Sequence, residues 1–165
     1  AKQMKKSDLN DILKKEGIHY INAKLSSSCG AIISYKGITA IIVDKSKIDS
    51  EAMENTVIIQ ELGHYFADSY YRCDSSLDFV ESLEHKADVC AWLKFFPYKE
   101  IKFLRNRGLN SATSLASYFN VDVSYISRCL NFYYSHSNGF EDDDLFCDEK
   151  HETGSKNTST RNEKD

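Results

Sequence analysis

The chain has 165 residues, of which 41% are hydrophobic and 28% charged, and its formal net charge is −4. This is the composition of an ordinary globular protein, and it excludes a chain that is disordered throughout. No apolar run reaches the roughly 18 residues that a membrane-spanning helix needs, and the basic, amphipathic start does not resemble a signal peptide. We therefore expect a cytoplasmic protein without a membrane partner.

Charge is distributed unevenly along the chain. Residues 137–165 hold nine acidic and four basic side chains, so the remainder is close to neutral. A neutral body gives no general electrostatic attraction for phosphates, and direct nucleic-acid binding is not expected.

The first half of the sequence predicts one helix, a small sheet and the start of a second helix. Residues 3–16 have apolar positions at helical spacing and end at Gly17. Three β-rich runs follow at 19–25, 31–35 and 38–43, the last two joined by the tight-turn pair Lys36 and Gly37. We predict a small three-stranded antiparallel sheet.

The second half is predicted to be helical. Ser50 is typical of a helix N-cap, and the helix that follows runs to about Tyr70. Another spans about 77–96 before Pro97, and two or three shorter ones fill 98–134. The predicted class is α+β, with a first domain at 1–97, a C-terminal helical subdomain at 98–136 and a disordered acidic and polar tail at 137–165.

The most informative segment is the run Gln60-Glu61-Leu62-Gly63-His64. Residues four apart on a helix share a face, so Gln60 and His64 point the same way, with Glu61 beside them. This is the arrangement of the zinc-peptidase motif HExxH, with glutamine in the first histidine position. In that motif two imidazoles bind zinc, and the glutamate takes a proton from the metal-bound water.

A second segment supplies the remaining groups of such a site. Glu84 follows His64 by twenty residues, which is enough for the first helix to end and a second to return antiparallel. Its carboxylate could then reach the same metal. Asp88, one turn further on, could accept a hydrogen bond from a ligand imidazole and fix its orientation.

On these residues the sequence resembles the ImmA/IrrE-type zinc metallopeptidases, which are gluzincin-like proteins of phages, mobile elements and radiation-resistance regulators. The resemblance rests on ELGHYF at 61–66, on ExxAD at 84–88 and on the run from Ala87 to Pro97. It implies that the domain at 1–97 is metallopeptidase-like and that its cofactor is zinc. His64 and Glu84 would be zinc ligands, Glu61 the general base, and Asp88 the residue that holds a ligand imidazole in place through a hydrogen bond. It also implies a protein partner, a DNA-binding repressor that the peptidase cleaves or inactivates.

Gln60 departs from the family motif, because a neutral amide oxygen is a much poorer zinc ligand than an imidazole. Three explanations are open: an engineered replacement of histidine, a natural relative that keeps the fold for binding, or weak metal binding through the amide. The predicted function is therefore a zinc-dependent endopeptidase impaired at Gln60. The alternative is a catalytically inactive regulator that binds a partner protein. The oxyanion-stabilising residue is not assigned, although Tyr65 and Tyr70 are close in sequence.

Two further sequence patterns resemble functional motifs, but we interpret both as structural. Residues 115–126 have the spacing of a helix-turn-helix, but Arg128 is the only basic side chain that the second helix offers to DNA, so we expect a structural helix pair. The acidic run at 141–144 lacks the spacing of an EF-hand loop and is assigned to the tail.

Overall fold

The computed structural model describes residues 6–70 and 75–136. Within them the fold is α+β, as the sequence predicted, and the disorder predicted for 137–165 lies outside the described residues. The elements follow one another as α1 (Lys6–Lys15), β1 (Ile18–Asn22), β2 (Gly30–Tyr35), β3 (Ile38–Val43), a short 3-10 helix (Lys45–Lys47), α2 (Glu51–Ala67), α3 (Leu77–Phe95), α4 (Tyr98–Asn106), α5 (Ala112–Phe119) and α6 (Val123–Ser135).

The sheet has the order β1-β3-β2, and its topology corrects one prediction. β2 and β3 form the predicted antiparallel hairpin, but β1 pairs with β3 in parallel. After Asn22 the chain leaves the sheet in a loop, where the Leu25 backbone N–H donates to the Asp44 carboxylate at 2.9 Å. This loop carries the chain past the space that β3 later fills, so β3 enters between the two earlier strands.

Helix α2 runs through the centre of the protein. The Ser50 hydroxyl accepts a hydrogen bond from the Met53 backbone N–H at 3.2 Å, which confirms the predicted N-cap. The helix ends at Asp68, which adopts the left-handed conformation. Ile58, Ile59 and Leu62 are fully buried, as expected for a helix covered on several sides.

Helix α3 packs closely against α2 at Gly63. A Cβ atom at this position would lie 2.4 Å from the Ala87 carbonyl oxygen and 3.0 Å from the Ala91 Cβ. No side chain fits in that space, so only glycine lets the two helix backbones approach this closely. This approach brings the middle of α3, which carries Glu84, beside the last turns of α2.

The C-terminal helices share the core of the preceding part of the chain. The Trp92 and Tyr125 rings lie 6.0 Å apart, and those of Phe96 and Phe119 lie 5.0 Å apart. The side-chain amide of Asn55, in α2, donates a hydrogen bond of 3.0 Å to the carbonyl oxygen of Asn120. Asn120 lies in the turn between α5 and α6. This packing fixes α6 against the motif helix. None of the helices in residues 6–70 and 75–136 is both long and apolar enough to cross a membrane.

Candidate functional site

Four of the five residues singled out in the sequence line one cleft of about 600 Å³. Gln60, Glu61 and His64 line it from α2, and Glu84 lines it from α3. The start of β2 and the loop before it form the opposite side, and Arg128 enters from α6. Helix geometry thus sets three of the groups on one face, and the α2–α3 packing adds the fourth.

His64 is held in a defined orientation within this cleft. It is buried, and its Nδ1 donates a hydrogen bond to the Ser69 carbonyl oxygen at 2.8 Å. Because a carbonyl can only accept, this bond leaves Nε2 facing the cleft. There Nε2 lies 3.4 Å from Oε1 of Glu84.

Glu61 lies beside this pair and is partly buried. Its carboxylate accepts a hydrogen bond from the Ile32 backbone N–H, and burial raises its pKa to about 7. The positive charge of His64 opposes the rise, and the negative charge of Glu84 adds to it. Gly30 makes room for the carboxylate, because a Cβ there would lie 3.0 Å from Glu61 Oε1 and still closer to Val57.

The imidazole of His64 is biased toward its protonated form. Burial on its own would lower the pKa of His64, but the hydrogen bond to Glu84 and the negative charges of Glu84 and Glu61 outweigh it and raise the pKa. Opposite charges within a few ångströms have this effect on a histidine.

Asp88 lies next to this group, and its carboxylate accepts a hydrogen bond from the Arg128 guanidinium. The hydrogen bond from Nδ1 of His64 goes to the Ser69 carbonyl oxygen, and the predicted role of Asp88 in orienting a ligand imidazole stays a prediction. Burial raises the pKa of Asp88, against the lowering effect of Arg128. Arg128 is thereby fixed at the cleft, where its guanidinium also lies 5.2 Å from the centre of the Tyr125 ring.

The donor set matches part of a zinc site. Two ligands of a tetrahedral zinc ion, each about 2.1 Å from the metal, lie about 3.4 Å apart. The His64–Glu84 separation has this value. A catalytic zinc also needs a third protein ligand, and that position belongs to the Gln60 amide. In the described part of the chain no three His, Cys, Asp or Glu side chains form a metal-binding group. As it stands, the donor set is one imidazole short of a catalytic zinc site.

Three further groups belong to the site. The Ser69 carbonyl is placed by the turn that ends α2, where the Ser69 backbone N–H donates to the His64 carbonyl at 3.0 Å. Arg128 comes from α6 and lies forty residues beyond Asp88 in the sequence. No local sequence pattern therefore indicates that Arg128 reaches this site. Of the two tyrosines considered in the sequence, Tyr70 lines the cleft, and the Tyr65 hydroxyl donates to Glu16.

The pKa shifts predict how stability depends on pH. Glu61 has an ordinary pKa of 4.5 and a folded pKa of about 7, so between these values the folded protein holds more protons than the unfolded chain. The free energy of unfolding therefore falls as pH rises through this range, by about 3 kcal/mol from Glu61. His64 acts in the same direction, because its raised pKa stabilises the fold below pH 6.5 and this contribution is lost at higher pH.

Urea unfolding at pH 5 and pH 8 measures this dependence. We expect Glu61→Gln to reduce the loss of stability between the two pH values, since the amide is neutral throughout and its oxygen can still accept from Ile32. The exposed Glu81 of α3 provides a matched control, Glu81→Gln, which should leave the dependence unchanged. An equal dependence in the Glu61→Gln variant and the unaltered chain would contradict this assignment.

The geometry brings together Glu61, His64 and Glu84 as the sequence indicated, and Gln60 lines the same cleft. Their assignment as metal ligands and general base remains a prediction, as does the division of the chain at residue 97. Comparison with protein-family models, with curated proteins and with solved structures found no significant match to this chain.

Proposed function

We propose that this chain is a metallopeptidase-type protein, similar to the ImmA/IrrE proteins, that binds a segment of a partner protein in its cleft. The partner is a DNA-binding repressor, and Gln60 impairs hydrolysis of the bound segment. The observation that supports the proposal is the convergence of Glu61, His64 and Glu84, with 3.4 Å between His64 and Glu84.

Binding is favoured over hydrolysis because of what the cleft contains. Its volume of about 600 Å³ is in the range of binding sites for ligands and short peptide segments. Arg128, held by Asp88, offers guanidinium donors at its wall, and Tyr70 offers a hydroxyl. These groups can bind peptide carbonyls without a metal, whereas hydrolysis of the motif type requires the ligand that Gln60 replaces.

A second candidate function is residual hydrolysis in this same cleft. The raised pKa of Glu61, about 7, favours it, because a general base works best when its pKa lies near the working pH. This candidate predicts that a bound segment is cut slowly, and the two functions are therefore separated by the fate of the peptide.

Overlapping fluorescent peptides that cover the sequences of a panel of DNA-binding repressors would test the proposal. We expect one segment to bind saturably, with a Kd in the roughly micromolar range. Ser28 is exposed at the cleft, so Ser28→Trp should obstruct the cleft and weaken binding by about tenfold or more.

The matched control is Ser26→Trp, in the same loop but outside the cleft, which should bind the segment normally. Mass spectrometry of the bound peptide then decides between the functions: an intact peptide supports the binding protein, and defined fragments support residual hydrolysis. If no segment binds, or if both variants bind as well as the unaltered chain, the cleft is not the partner site.

A further inference from the structure

A second hollow, separate from the cleft, lies between α4, the loop after it and α6. Its volume is about 320 Å³, at the lower end of the range of roughly 300–1,000 Å³ that ligand pockets have. Helical periodicity produces both walls, because the lining positions of each helix lie three or four residues apart. We call this hollow the α4–α6 groove; its walls are Tyr98, Ile101, Lys102 and Arg105 on α4, and Leu130, Tyr133 and Tyr134 on α6.

The inner part of the groove is apolar. Ile101 and Tyr133 are buried, and the rings of Tyr98 and Tyr133 lie 5.4 Å apart. The Tyr133 hydroxyl donates a hydrogen bond to the Phe96 carbonyl oxygen at 2.9 Å, within the core. Tyr133 therefore presents its ring to the groove, and a large apolar side chain from another molecule would be buried favourably against it.

Lys102 and Arg105 place positive charge on the α4 side of this apolar hollow. Residues 94–107 contain five basic side chains and one acidic one, Glu100, which does not line the groove. Among the described residues, no carboxylate forms an ion pair with Lys102 or Arg105.

The Arg105 guanidinium is held at the groove by an aromatic side chain. It donates a hydrogen bond to the Tyr134 hydroxyl, and its central carbon lies 5.3 Å from the centre of the Tyr134 ring. This contact uses one of the five N–H donors of the guanidinium. The other donors can form charge-assisted hydrogen bonds with a carboxylate.

We infer that the α4–α6 groove binds an acidic peptide segment of a partner protein. Large apolar side chains of the segment fill the hollow, and its carboxylates pair with Lys102 and Arg105. Charge complementarity selects this occupant, because two cations without a carboxylate partner in the described fold stand beside an apolar surface. The function proposed for the cleft plays no part in this assignment.

Two observations favour a peptide over a nucleic acid. The chain outside residues 137–165 is close to neutral, so no wider positive field follows a phosphate backbone away from the groove. In addition, the exposed side chains of Asn106 and Asn110 line the groove. Each amide can donate to a carbonyl and accept from an N–H group, which are the two groups that every peptide unit offers.

Fluorescein-labelled peptides of defined composition test this assignment. A peptide built from repeats of Glu-Glu-Leu-Phe should bind the full chain saturably, with a Kd of about 100 μM or tighter, and more weakly at high salt. Replacing its glutamates by glutamine, or its leucines and phenylalanines by serine, should each weaken binding by about tenfold. In ¹⁵N-resolved NMR spectra, the amide signals that shift should belong to α4 and α6 at the groove.

Lys102→Glu should weaken binding of the acidic peptide by about tenfold or more, because it reverses a charge that the carboxylates contact. Lys102 is exposed, so the fold should be retained, and Lys102→Gln should give an intermediate affinity. The matched control is Lys86→Glu, the same change at an exposed position of α3 that lines neither hollow, and it should bind the peptide normally.

Several results would overturn the inference. They are absence of saturable binding, signal changes confined to the cleft, and equal affinities of the Lys102→Glu and Lys86→Glu variants. Tighter binding of a single-stranded oligonucleotide, lost in Lys102→Glu, would assign the groove to nucleic acid instead of an acidic peptide.

Discussion

Replacing Gln60 by histidine is expected to create a tight zinc site in the cleft. Position 60 lies one helical turn before His64 on the same face of α2, and both side chains line the cleft. The introduced imidazole would join His64 and Glu84 as the third protein ligand. Removing a residue that only hydrogen-bonds to a metal ligand already lowers metal affinity by about 10–100-fold. Gaining a direct ligand should therefore raise zinc affinity by about 100-fold or more.

Zinc titration of the purified Gln60→His variant, followed by metal analysis after dialysis, measures this gain. We expect about one zinc ion per chain, bound much more tightly than by the unaltered protein. Adding His64→Ala to the variant should abolish the gain. Thr113→His, which puts a histidine on the exposed face of α5, should leave zinc affinity unchanged and controls for the new side chain. If Gln60→His binds no more zinc than this control, the metallopeptidase interpretation of the cleft must be given up.

The fold could be predicted from the sequence where the cause is local. Ser50 caps α2, Gly17 follows α1, and the Lys36-Gly37 turn joins β2 to β3, each through backbone or side-chain chemistry within a few residues. The parallel pairing of β1 could not be predicted in this way. It depends on where the loop at 23–29 takes the chain, and that loop is held by Asp44, which lies about twenty residues away.

The site shows the same division between local and distant causes. Gln60, Glu61 and His64 share a face because of helical periodicity, and the close packing of α3 at Gly63 brings Glu84 to them. The partner of Asp88 was missed because Arg128 lies forty residues further on. From the sequence, the charge of Arg128 is relevant only to DNA binding. The tertiary packing of α6 turns the Arg128 side chain toward the cleft instead.

Gly63→Ala is expected to destabilise the protein, although alanine is the better helix former. Within a helix the change from glycine to alanine favours folding by about 1 kcal/mol. Here the new Cβ would lie 2.4 Å from the Ala87 carbonyl oxygen, so the backbones of α2 and α3 must move apart. Overpacking of this kind costs about 1–3 kcal/mol or more, and the contact with backbone places it at the upper end. We expect a net loss of about 2 kcal/mol in the free energy of unfolding.

Chemical denaturation of Gly63→Ala beside Ser82→Ala measures this loss. Ser82 is exposed on α3, so its replacement should change stability by less than about 0.5 kcal/mol. The same movement of α3 would carry Glu84 away from His64. In the Gln60→His background, Gly63→Ala should therefore also weaken zinc binding, whereas Ser82→Ala should not. A Gly63→Ala protein that is as stable as the unaltered chain would show that α2 and α3 do not pack this closely, and the 3.4 Å approach of His64 to Glu84 would lose its structural basis.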